Sequence, residues 1–148
     1  MLNLSDTAKK AYKLEASLGW DKREPLASLQ DFADELASHY NTPPVVISSN
    51  PKARRIQCLG LFKSPNRIIV EPVKGQTRAT ILHEFTHYLD WRERKDCPHD
   101  NKFRSLHKKI LQEMANAQKH SRPNLVHKGT KDGSTSGVRK GILGLFTR

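Results

Sequence analysis

His83, Glu84 and His87 stand in the order H-E-x-x-H. On a helix, residues four apart share one face, so the imidazoles of His83 and His87 can grip a single Zn²⁺. Glu84 lies one residue further round, within reach of a water on that metal, where a carboxylate acts as general base. The chemistry open to such a set is hydrolysis. Zinc makes hydroxide available near neutral pH, and Glu84 takes a proton as the water attacks a carbonyl and passes it to the leaving amine. Five letters also recur by accident, so the reading depends on a helix to carry the pair, a third ligand, and elements that place both.

A helix is expected over residues 76 to 95, a span free of Pro and Gly, with Thr77 as its N-cap. Leu82, Phe85, Thr86 and Leu89 share one face, with Ala79 at its edge, and His83 and His87 share another. For the third ligand the expectation is His99, 12 residues beyond His87. Pro98 closes the segment after the motif helix, and Phe103, Leu106, Ile110, Leu111 and Met114 recur with helical spacing over residues 103 to 117. Asp90, three residues after His87, is read either as a partner that orients a ligand histidine or supports the turn to His99, as a ligand itself, or as a surface aspartate. Cys97 is a poor ligand candidate, because it sits two residues from His99. His107, Arg104 and Tyr88 are candidates to polarise an oxyanion. Trp20 and Trp91 read as core or cleft-rim residues.

H-E-x-x-H, about a dozen residues, then H-x-x-x-F opening a helix, resembles the SprT-like metallopeptidases, which include the Spartan type of DNA–protein crosslink protease. The late motif of that family is usually H-G-x-x-F, whereas this chain has His99-Asp100-Asn101-Lys102-Phe103. The resemblance spans residues 45 to 117. It implies a zincin-like fold, a zinc ion held by His83, His87 and His99, Glu84 as base, and a protein or peptide substrate. It also implies that a sheet edge beside the metal pairs with extended substrate, which β-augmentation makes physically sensible. The Cys-rich ribbon that often follows the catalytic domain in that family has no counterpart among the two cysteines here.

The elements expected to position the site make an α+β fold. Residues 5 to 18 read as a helix capped by Ser5 and stopped by Gly19. A second helix is expected from Pro25 to about Tyr40, before Pro43 and Pro44. Short strands are expected at Val45-Val46-Ile47, within residues 55 to 62, and at residues 67 to 71, with a turn at Ser64-Pro65-Asn66. These suggest a small, mostly antiparallel sheet of about three strands feeding the motif helix. Residues 1–118 are expected to form one domain, with a helical part over 1–42 and a catalytic core over 43–118. Residues 119–148 are expected to be a flexible basic tail.

The net charge of +11 is uneven: residues 101–148 hold 11 Lys/Arg against 2 Asp/Glu. A basic second half suggests a polyanion partner such as nucleic acid, against the plainer reading of a solvated helix face and a solubilising tail. Two cysteines without a signal-like start fit a reducing, cytoplasmic setting, and no stretch is apolar enough for a membrane span. The rival to a peptidase is a nucleic-acid-binding accessory protein whose zinc is structural. A fourth protein ligand such as Cys97 or Asp90 would mark that case. A metal hydrolase acting on a non-peptide amide shares the same motif chemistry.

Overall fold

Ser5 accepts a hydrogen bond from the Ala8 amide and starts helix α1 (Asp6–Ser17), with Asp6 in the first turn where an anion is favoured. The structure, a computed structural model, describes residues 5–52, 58–96 and 98–121. Gly19 ends α1 with a φ of +72°, a conformation that favours glycine. Trp20 then turns into the core and donates its indole N–H to Gln118. Helix α2 (Leu26–His39) follows Pro25 and buries Leu29, Phe32, Ala33, Leu36 and Ala37 along one stripe.

Three short strands follow: β1 (Val46–Ser49), β2 (Gly60–Lys63) and β3 (Arg67–Val70). Their order is β1-β3-β2. β2 runs antiparallel to β3, with Leu61 opposite Ile69, whereas β1 runs parallel to β3, with Ile47 opposite Ile68. The sheet is therefore mixed rather than mostly antiparallel. The turn at residues 64–66 folds β2 back on β3, which enforces an antiparallel pair. β1 lies on the other side of β3, packed against α2, and runs parallel to β3 because it precedes β2 without a hairpin between them. The part of the second expected strand at residues 55–57 lies outside the described residues, as do Cys97 and the expected tail from residue 122 onward.

The two sheet edges differ. On β1, the Gln30 side chain of α2 donates to the Val45 carbonyl at 2.8 Å and accepts from the Ile47 amide at 2.9 Å, occupying that edge as a strand would. On β2, the Phe62 amide points at the motif helix instead.

After β3, the buried Glu71 carboxylate gathers the amides of Val73, Lys74 and Gly75 into a tight turn. Gly75 is needed there, because a Cβ would fall 1.8 Å from the Leu59 carbonyl oxygen. The turn delivers the chain to Thr77, whose side chain caps helix α3 (Arg78–Arg94) by accepting from the Thr80 amide. Lys95 closes α3 in the left-handed conformation, at φ 58°. Helix α4 (Asn101–Ser121) then runs three residues past the expected domain boundary at 118. Ile81, Leu82, Phe85 and Tyr88 of α3 meet Leu36, Ile68, Ile110 and Leu111 in the core. Each such side chain, fully buried, contributes about 1.5–3 kcal/mol. No helix among the described residues is long and apolar enough to cross a membrane.

Candidate metal centre

With one stripe of α3 committed to the core, Glu84 is turned toward β2, and His83 and His87 toward α4. The turn after Lys95 brings His99 back over them. Its Nε2 lies 3.2 Å from Nε2 of His83 and 3.0 Å from Nε2 of His87. The three rings thus converge through the same nitrogen, and one ligand atom from each fits a common metal ion. Tetrahedral bonds of about 2.0–2.1 Å separate two donors by about 3.3 Å, close to the observed spacing. Shared protons do not satisfy this arrangement, since one proton on His99 cannot serve two lone pairs well. A cation satisfies all three.

The chain matches no family model, no curated protein and no solved structure.

What the site can do is set by its own surroundings. Phe103, buried on the first turn of α4, stacks on His87 with ring centroids 4.2 Å apart and meets His83 and His99 edge-on. Burial pushes the His83 imidazole down to about 3, and the neighbouring His107, His87 and His99 add to the effect. Burial also lowers His87 to about 4, helped by His99 and partly opposed by Asp90. Both imidazoles are therefore neutral at neutral pH, with lone pairs open to a metal.

Glu84 is 7% exposed, and burial raises its carboxyl to about 7. The Phe62 amide of β2 donates to its Oε2 at 2.8 Å and holds back part of that rise. This contact requires β2 to lie very close to α3, and Gly60 permits it. A Cβ at Gly60 would fall 2.6 Å from Thr80 Cγ2 and 2.9 Å from Glu84 Cγ.

Among the other expected residues, Asp90 stands outside the three-histidine cluster. Its carboxylate is taken by Arg94, whose Nε and Nη2 each donate at 2.6 Å. Tyr88 is buried and donates its hydroxyl to the Pro43 carbonyl. His107 reaches the site, its ring 5.6 Å from that of His83 and its Nε2 4.0 Å from the buried Glu15 of α1. Arg104 is exposed on α4. Trp20 is core, and Trp91 packs on Phe62 with centroids 6.0 Å apart. Two contributors escaped the sequence reading. Phe62 acts through its backbone, which leaves no signal in a side-chain motif. Arg94 had one, since it stands four residues after Asp90, the spacing of a helical ion pair.

Proposed function

We propose that this chain is a zinc-dependent metallopeptidase that hydrolyses peptide bonds, with His83, His87 and His99 holding the metal and Glu84 acting as general base. The carrying observation is the convergence of three imidazole Nε2 atoms on one point beside a buried carboxylate. Three imidazole donors suit zinc, and three protein ligands with a position left over are the donor set of catalytic rather than structural zinc sites. Asp90, one residue that would have closed such a site, is held by Arg94. The resemblance to SprT-like peptidases in H-E-x-x-H, His99 and Phe103 points the same way.

When bound, zinc supplies Lewis acidity toward a carbonyl and makes a nearby water more acidic. The chain's residues supply the rest. The Phe62 amide fixes Glu84 Oε2, which leaves Oε1 to accept a proton from the attacking water and return it to the leaving amine. Without the metal, burial holds the Glu84 carboxyl at about 7; a dication bound beside it would favour the ionised, proton-accepting form that a general base requires. Gln30 meets the edge of β1 at Val45 and Ile47, and Glu84 takes the Phe62 amide of β2, so an extended peptide joining β2 beside Glu84 would have to pair with the other outward-facing groups of that strand.

The exposed Lys102, Arg104, Lys108 and Lys109 of α4 support contact with a polyanion, which fits substrates held on nucleic acid. Cleavage of an unfolded protein substrate should disappear when the metal is stripped with a chelator and return on adding one equivalent of zinc. Cleavage that persists unchanged in the stripped protein would refute the proposal.

A further inference from the structure

The feature that the mechanism does not use is a guanidinium shared by two carboxylates at the base of the His99 turn. Arg94, on the last turn of α3, donates through Nε and Nη2 to Asp90 at 2.6 Å each. The same guanidinium donates through Nη1 to Asp100 Oδ2 at 2.7 Å and through Nη2 to Asp100 Oδ1 at 3.0 Å. The planar fork of arginine matches two carboxylates at once, which a lysine ammonium cannot do. Asp90 is 3% exposed and sits one helical turn beyond His87, so the helix that carries two of the histidines fixes its position. Asp100 follows His99 directly. Its carboxylate also accepts from the Phe103 amide at 2.9 Å, capping α4 and setting the ring that stacks on His87.

His99 itself is exposed, and its hydrogen-bond and ring contacts are to His83, His87 and Phe103. Among the described residues, its side-chain hydrogen-bond partners are the other two ligands alone, and Phe103 meets its ring edge-on. The resembled late motif carries glycine at the position of Asp100, and glycine can neither cap the helix with a side chain nor bind Arg94.

We infer that Arg94 is a positioning residue for the third metal ligand, tying Asp100 beside His99 to Asp90 on the helix of His83 and His87. The inference rests on the metal-site reading above. The bridge holds His99 over the other two imidazoles before a metal arrives, so less ordering remains to be done on binding.

The test is a double-mutant cycle on zinc affinity, measured in the full chain by competition with a chelating dye. Arg94→Ala strands the buried Asp90 carboxylate and risks unfolding the protein. Asp100→Asn is therefore the deciding variant: it keeps an oxygen for the Phe103 amide, leaves the Arg94–Asp90 pair intact, and removes the charged leg to the turn. Asp100→Asn should weaken zinc binding about 10- to 100-fold in the wild-type background, as loss of a residue that orients a ligand does. In a His99→Ala background, where there is no third ligand to orient, it should change affinity by less than about twofold. The urea midpoint of the metal-free protein should stay near that of wild type.

An equal loss in both backgrounds, or equally tight binding by wild type and Asp100→Asn, would overturn this inference alone. A wild type that binds no zinc would overturn the metal-site reading and this inference with it.

Discussion

Replacing Glu84 with Gln should make the metal-free protein more stable at high pH and leave it nearly unchanged at low pH. Glu84 is packed on α3 beside Phe85 and beneath β2, and its carboxyl is raised from 4.5 to about 7 mainly by burial. In the unfolded chain it ionises near its ordinary value. The native state therefore holds a proton that the unfolded state has lost throughout that window. The stability this contributes is fully present below about pH 4.5 and is lost as pH rises through about 7. A displacement of that size corresponds to about 3 kcal/mol, and the Phe62 amide bond is already included in it. Gln has no proton to lose, keeps a carbonyl oxygen for the Phe62 amide, and nearly preserves volume. His83, His87 and Glu15 titrate in both proteins and largely cancel in the difference. The assay is urea denaturation of wild type and Glu84→Gln in a chelating buffer across about pH 4 to 8. The variant should start near parity and end about 3 kcal/mol ahead. A difference that stays flat across that range would show that Glu84 does not occupy the buried, proton-holding position described here.

Three further outcomes follow from other parts of the fold. Gly60→Ala pushes a methyl into Thr80 and Glu84, and over-packing of this kind costs about 1–3 kcal/mol, readable as a lower urea midpoint and, if β2 moves away, as a fall in peptide cleavage. Phe103→Ala removes a buried ring that touches all three histidines; it should cost about 3–5 kcal/mol by denaturation and also weaken zinc binding in competition titrations. If α4 contacts nucleic acid, Lys108→Glu with Lys109→Glu should weaken duplex DNA binding and flatten its salt dependence, by about 0.9 in log–log slope for each phosphate that is no longer neutralised.

Much of the site was legible because its determinants are local. The spacing of His83 and His87 sets them on one face of any helix, and Thr77 with the apolar stripe of Leu82 and Phe85 marks that helix and its buried side. Pro98 and the periodic run from Phe103 separate α4 from α3 and leave His99 at the turn between them. What the sequence left open depends on contacts between distant segments. The parallel pairing of β1 with β3 joins segments about twenty residues apart, and four-residue strands carry too little pattern to reveal direction. What meets the β1 edge depends on Gln30, an unremarkable polar residue on α2 until it reaches Val45 and Ile47. The role of Asp90 was open among three readings, and its burial and its ion pair with Arg94 emerge only once the chain is folded.

The central claim is that Glu84 moves the proton while the three histidines hold the metal. It is tested most directly by comparing wild type and Glu84→Gln, each loaded with one equivalent of zinc, on the same unfolded protein substrate. Both should retain the metal, wild type should cleave, and the variant should be slower by about 10²- to 10⁴-fold, the usual worth of a general base. Cleavage at the wild-type rate by fully zinc-loaded Glu84→Gln would contradict the account.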